Sequence, residues 1–509
     1  MSKVRAAFLQ GRLRSFIPYG PEDLPARIAT ERAAPRGELA AALEAYLKRL
    51  GAPEASVAAA RRLAHPESRA VVTGQQAGLL TGPAFTLYKA HSALKLAYAY
   101  HDAARPVVAL FWVASQDHDT AEVSRIHFLD MEERIRELAL DLPEAVPVAR
   151  LRFAPYADEV AAFLRSFGGH AGVRHRIEQA LAGDWTYAEA FARLLLAFLG
   201  AHGVVPLDPM APELAPLFAP AIERELEDPL ASSMAINAAG EALRSLGLSP
   251  SLGRPAGATN LFLEGEDGRR RLLYYEDGVF SDGERRYRAE DLKAILHADP
   301  ARLTPAAGLR PVVQDAVVPT AGLVVGPGEM AYVAQLAGVY RLHGLEPPAV
   351  IDRMHGLVLE PPVRRILEKY ALDPWAFLEA PEEAMLEALA RTSGAAAELE
   401  RGLRRVEDEF SRMLAALPAL DPTLIGAFER SQRRLEGEIE RLRGKLLAAE
   451  LASKRTVRDQ HRRLLIHLRP LGQPQERVYG FLGHLLKHGP EVLERLCKAP
   501  ARGRVNIEA

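Results

Sequence analysis

One cysteine, Cys497, stands in a chain of 509 residues. That single thiol excludes an intrachain disulfide and any zinc site built from several thiolates, and it fits a reducing compartment. Charge of one sign is also lacking. The 64 basic and 66 acidic residues leave a formal net charge of −2, so composition supplies no electrostatic reason for a nucleic-acid or anionic-membrane partner. Local basic runs read as solvated helix faces. No stretch of about 18 uncharged apolar residues occurs. The N-terminal MSKVRAAFLQGRLRSF has no apolar signal core, so a soluble cytoplasmic protein is predicted.

What the chain does have is ordinary globular composition, 48% apolar and 26% charged, at a length that exceeds one compact core. Short β-branched runs at Arg69–Thr73, Pro106–Ala114, Gly203–Asp208, Pro311–Val318 and Pro348–Asp352 predict strands. Helices are predicted over Pro83–His101, Tyr187–His202, Glu329–His343 and Pro361–Lys369. The alternation points to an α/β, Rossmann-like parallel-sheet core across residues 1–380. Two insertions interrupt it, a helical one at about 130–250 and one at 255–300 that reads as β-hairpins turned at Glu-Asp-Gly.

From about Glu382 the pattern changes. Leu399, Leu403, Val406, Phe410, Met413 and Leu417 recur at spacings of four and three, and the spacing resumes at Phe428, Leu435, Ile439, Leu442, Leu446 and Ala449. Two such seams joined by PALDPT predict an antiparallel coiled-coil hairpin over 381–468, with 469–509 as a closing segment that returns to the core. The arm suits a homodimer, or a seam packed against the body of the protein.

Three polar clusters carry the candidate chemistry. In VVTGQQAGLLTGPAFTLYKA a strand end meets a helix start through glycines. Gly78 and Gly82 permit close backbone approach, Pro83 suits a first helical turn, and the helix N-terminus offers N–H groups to an anion. Gln75, Gln76, Thr81 and Lys89 would face the same ligand. The motif matches no standard nucleotide fingerprint. In ALFWVASQDHDTAEV an apolar run ends in Asp117-His118-Asp119, with Glu122 one turn later. His118 suits a base near neutral pH, and the two aspartates suit an ammonium or magnesium. A helix N-cap and a metal-hydrolase site are the competing readings. In RPVVQDAVVPTAGLVVGPGEMAYVAQL, Gln314 and Asp315 lie inside an apolar run, and Glu329, Tyr332 and Gln335 form one stripe. Arg353, at the end of the last predicted strand, suits a carboxylate or phosphate.

In order along the chain, VTGQQAGLLTGPAFTLYKAHSALKLA, FWVASQDHDTAEV, RPVVQDAVVPT, GPGEMAYVAQL and PQERVY resemble the bacillithiol-biosynthesis cysteine-adding enzyme family, BshC. The resemblance implies a nucleotidyltransferase-like Rossmann core, a coiled-coil arm linked to dimerisation, and amide-bond formation between L-cysteine and glucosaminyl-malate. It further implies a nucleotide, ATP or ADP, with magnesium for activation, and no zinc. Under it, Lys89 would stabilise acyl or phosphoryl charge, His118 would take the cysteine ammonium's proton, and Asp117 or Asp119 would orient that ammonium. Gln75, Gln76, Gln314 and Arg353 would hold sugar hydroxyls and the malyl carboxylate, while Thr81, Gly82, Glu329 and Tyr332 complete the substrate site and Arg477 touches the nucleotide. The chain departs from the family pattern at Gln116, where an acidic residue is usual, at Ala77, and at Asp352-Arg353. A nucleotidyltransferase-like enzyme for another acceptor and a non-catalytic dimeric scaffold are the alternatives.

Overall fold

Runs such as VVALFWV and TAGLVV are buried at every position, the mark of strands covered on both faces. In the computed structural model, which describes residues 3–392, 394–420, 425–453 and 455–509, they belong to one five-stranded parallel sheet. Its strands are β1 (Arg69–Gln75), β2 (Val107–Val113), β3 (Val205–Leu207), β4 (Thr320–Val325) and β5 (Ala349–Asp352). They lie in the order β3-β2-β1-β4-β5. The chain winds outward from β1 to β3 and resumes on the other side of β1 at β4. The crevice beyond the carboxyl ends of strands at such a reversal is where open α/β sheets bind ligands.

Helix α1 (Phe85–Tyr100) crosses from β1 to β2 and packs Ala93 and Leu96 against Val71, Ala109 and Val324. Helix α2 (Tyr187–Leu199) precedes β3, started by a reciprocal cap between Thr186 and Glu189. The helical insertion between β2 and β3 opens with a strand pair, Arg125–Leu129 with Ile135–Ala139. Between β3 and β4 lies a second, antiparallel sheet that includes Ala258–Glu264, Arg270–Glu276 and Val279–Ser281. Its turns fall at the two Glu-Asp-Gly sites.

Two elements differ from expectation. Pro311–Val318 is not a strand but helix α3 (Arg310–Val317), and β4 is the following segment. Pro311 occupies the first helical turn. Gln314 and Asp315, awkward inside a buried strand, find partners in Arg310 and Tyr340; a short apolar run does not by itself separate buried helix from strand. The long helix expected at Glu329–His343 is two, α4 (Glu329–Val333) and Ala337–Leu342. The break carries Gln335, whose buried amide accepts from Ser251 and Leu252 N–H and donates to Ile236 and Leu252 carbonyls.

The described residues divide into two compact units. The first runs to Gly356 and includes Tyr479–Ile507; there Ala84 N–H donates to Tyr479 O and Gly480 N–H to His127 O. The second, Leu357–Val478 with Glu508–Ala509, begins earlier than the predicted boundary at 380. The reason is a shared core: Val363, Ile366, Met385 and Ala388 are buried with Val457, Leu464 and Leu468. Its long helices are α5 (Gly394–Leu420), α6 (Ile425–Ser453) and α7 (Arg455–Leu468). Phe410 meets Phe428 with ring centroids 5.7 Å apart, and Leu403, Val406, Leu435 and Ile439 are half-buried. Met413 and Leu442, expected in the seam, are 45% and 56% exposed, and Ala449 is exposed as well. Residues 421–424, which include part of the PALDPT link, and the side chains of Leu399, Leu417 and Leu446 lie outside the described residues.

At the switch point Gly74 pairs with Trp112. A Cβ there would stand 2.8 Å from Trp112 O and 2.9 Å from Trp112 Cβ. Gly74→Ala should therefore lower the unfolding free energy by about 1–3 kcal/mol, as overpacking does. Urea unfolding checks this, and an unchanged midpoint would contradict it.

Candidate active site

The site grows from one buried cation. α1 carries Lys89 beneath the end of β1, where the residue is 2% exposed. Its Nζ donates to Gly74 O and Gln75 Oε1, both at 2.9 Å, and forms an ion pair with Glu329 of α4. These three partners match the three donors of an ammonium. Glu329 in turn accepts from Gly326 N–H at 2.8 Å and from the Tyr332 hydroxyl at 3.3 Å. Tyr332 accepts from Arg310 Nη2 at 3.1 Å. Arg310 Nη1 donates to Gln314 Oε1 at 3.2 Å, and Gln314 donates to Asp315 at 2.9 Å. One polar chain thus runs from β1 to α3. Burial pulls Lys89 below the usual ammonium range, against the attraction of Glu329. Burial alone would raise Glu329, but Lys89 carries it below the usual carboxylate range.

Above this chain a cavity of about 280 Å³ opens at the carboxyl ends of β1 and β2. Its walls include Gln75, Gln76, Trp112, Asp117, Arg270 and Arg310. Gln76 Nε2 donates to Asp117 Oδ2 at 2.7 Å, and Asp117 Oδ1 accepts the N–H groups of His118 and Asp119, so one carboxylate folds its own loop. Glu122 stands at the rim, held above the usual carboxyl range by lost hydration and by Asp117 and Asp119, with Gln76 opposing. Arg270 comes from the antiparallel insertion. It donates to Thr304 Oγ1 and Pro305 O, meets His118 Nδ1 at 3.3 Å and lies 4.0 Å over the Phe262 ring. Burial lowers it to about 10, which still leaves a cation at neutral pH. His118 is held below the ordinary imidazole range by burial and by Arg270, against Asp117 and Asp119.

The expected residues divide between this wall and the layer behind it. Gln75, Gln76, Asp117, Glu329 and Tyr332 line the cavity together. Lys89 does not; its ammonium meets Gly74 O, Gln75 and Glu329 beneath the wall. His118 stands behind Arg270, and Asp119 is exposed. Gln314 is fully buried behind Arg310. Arg353 is 1% exposed, donates to Met354 O at 2.6 Å and packs against Phe85, so it is no open clamp. Thr81 and Gly82 belong to a buried loop where Leu80, Thr81 and Gly82 all have positive φ. That loop displaces the helix start to Phe85, and the cavity forms at Gly74–Gln76 instead. Arg477 belongs to the second unit and is exposed. Gln116 lines the cavity at 4% exposure, where an acidic residue would add buried negative charge beside Asp117.

Arg270 and Arg310 escaped the sequence reading. Arg270 sits in the basic run GRRRLLYY, which looks like a solvated strand, and Arg310 opens a segment read as a strand. Among the described residues no group of three or more His, Cys, Asp or Glu could hold a metal ion, and no helix is long and apolar enough to cross a membrane.

Removing Lys89 would leave Glu329 largely buried without its counter-ion. Lys89→Met should cost about 3 kcal/mol of unfolding free energy, the lower end for a broken buried pair because Glu329 retains some solvent contact. The folded carboxyl of Glu329 is depressed, so its contribution is present above its ordinary pKa and is lost as pH falls through the folded value. Denaturant unfolding of wild type and variant at neutral and acid pH checks both; a difference that does not shrink in acid would contradict the pairing.

Comparison with known proteins agrees with this architecture. Residues 16–354 match "Bacillithiol biosynthesis BshC, N-terminal Rossmann-like domain", and residues 356–505 match the C-terminal coiled-coil domain of the same family. Proteins named "Putative cysteine ligase BshC" from two strains of Thermus thermophilus are each 51% identical, over 96% and 99% of this chain and 97% and 99% of their own lengths. A relative of the same name from Salinibacter ruber is 32% identical over 94% of this chain and 90% of its own. The chain belongs to the BshC family of bacillithiol biosynthesis.

Proposed function

We propose that this protein is a ligase that joins L-cysteine to glucosaminyl-malate through an amide bond, the closing step of bacillithiol synthesis. The observation that carries the reading is that one small cavity presents charges of both signs. Arg270 and Arg310 face it as cations, and Asp117 and Glu122 as acids. A carboxylate suits the guanidinium side, and an amino acid's ammonium suits the carboxylate side. At about 280 Å³ the cavity is near the lower bound of small-molecule sites, roughly 300 Å³, so it suits the reacting ends of two small polar substrates.

Amide formation needs the malyl carboxyl activated as an acyl phosphate or acyl adenylate. A nucleotide, ATP or ADP, would supply that group, with magnesium carried on its phosphates. The cysteine nitrogen then attacks the acyl carbon, the phosphate or nucleotide leaves, and the ammonium's protons are released. Arg310 and Arg270 would offset the negative charge that develops on the acyl oxygen and leaving group. Gln75 and Gln76 offer amide groups to hydroxyls. Pairing of two copies through the coiled-coil arm belongs to the same reading and is supported by the exposed Met413 and Leu442.

Mass-spectrometric detection of bacillithiol from glucosaminyl-malate, cysteine, magnesium and each of several nucleotides tests the reading. Wild type should form product with one nucleotide, and Arg310→Met should lower the rate by about 10²–10³-fold, the usual loss for one preorganised charge-stabilising donor. Pyrophosphate release that ignores cysteine would favour a nucleotidyltransferase, and absence of product with every nucleotide would contradict the ligase.

A further inference from the structure

His118 does not face the cavity, yet its imidazole touches one residue that does. Arg270 reaches the wall from the antiparallel insertion with its side chain fixed at every point. Nε donates to Thr304 Oγ1 at 2.9 Å, Nη2 to Pro305 O at 2.8 Å, and Nη1 meets His118 Nδ1 at 3.3 Å. A guanidinium has only donors. The Nδ1 that meets it must therefore carry a lone pair, and the ring proton of a neutral His118 must sit on Nε2. The Phe262 ring backs both groups, with the His118 centroid 5.5 Å away and the Arg270 guanidinium 4.0 Å above it. The charged groups around the imidazole are Arg270, Asp117 and Asp119. Those around Arg270 are Asp117 and Arg254.

We propose that His118 is a positioning residue that acts through Arg270: its neutral, Nε2-protonated ring accepts one Arg270 N–H and fixes the angle at which that guanidinium enters the cavity wall. A general base at this point would have to turn a free nitrogen toward the reacting amine. Here the unprotonated nitrogen is already engaged, and the other carries the proton. The inference needs only this contact and stands apart from the identity of the substrate.

Two measurements test it. The first is the histidine nitrogen NMR spectrum of the full-length protein near neutral pH, with His118→Asn to identify the His118 signals. The Nε2–H tautomer is expected; an Nδ1–H tautomer or a protonated ring would overturn the proposal. The second is calorimetric binding of malate to wild type, His118→Ala, His118→Asn, Arg270→Ala and the double alanine variant. Asn offers an acceptor oxygen near the Nδ1 position. It should bind within about threefold of wild type, while His118→Ala weakens binding roughly tenfold, as loss of one charge-assisted hydrogen bond does. The double variant should bind no more weakly than Arg270→Ala alone, because the histidine has nothing left to hold. Additive losses, or failure of Asn to rescue, would overturn the proposal. The malate arm rests on the ligase reading. If wild type ignores malate, that reading fails, while the tautomer still decides the role of His118.

Discussion

A lysine ammonium placed among buried groups must find acceptors for its donors and a negative charge for its own, or it cannot remain a cation. Lys89 meets that requirement with Gly74 O, Gln75 Oε1 and the Glu329 carboxylate. Each of those partners is thereby committed. Gly74 O and Gln75 hold the end of β1. Glu329 orders the turn before α4 through Gly326 N–H and orients Tyr332, which meets Arg310. This pair thus sets the positions of several groups that have one face in the cavity. Buried pairs are weak evidence for stability, since desolvation offsets much of their attraction. What this pair contributes is a fixed geometry at the point where the sheet order reverses.

The two cavity arginines reach the site by different routes. Arg310 starts a helix of the α/β core, immediately before β4, which pairs with the central strand β1. Arg270 arrives from an insertion between β3 and β4, held by Thr304 and Pro305 of its own sheet. The acid side, Asp117 and Glu122, follows β2. A cavity whose charges come from three separate segments depends on the docking of the insertion, and His118 with Phe262 is part of that dock. Proximity and orientation are what an enzyme joining two small polar molecules has to supply, and here they rest on side chains held from behind.

Much of this was legible in the sequence, and the parts that were not fail for identifiable reasons. The buried strands VVALFWV and AVID announce themselves as β-branched runs between turn residues, and the paired Glu-Asp-Gly turns mark the insertion. Helix α3 was misread because RPVVQDAVV has too few residues to reveal a 3.6 period, and the error moved β4 by one segment. That Gln75, Gln76 and Asp117 line a cavity is legible because polar residues at a strand's carboxyl end in such a fold face the crevice. Lys89, Gln314 and Arg353 lie behind the cavity wall rather than in it. Their chemistry is visible in the sequence, but whether a long side chain meets a ligand or another side chain depends on partners hundreds of residues away, such as Glu329 for Lys89. Arg270 is hidden for the converse reason: in a run of basic residues, one buried guanidinium looks like its solvated neighbours.

The crystal structure of the Lys89→Met variant tests the central claim most directly. If the buried pair organises the site, Glu329 should leave Gly326, the Tyr332–Arg310 hydrogen bond should open, and Gln75 should turn away from its present position. If Gln75, Tyr332 and Arg310 all remain within about 0.5 Å of where they now stand, the tolerance a functional site demands, the cavity is organised by something other than this pair.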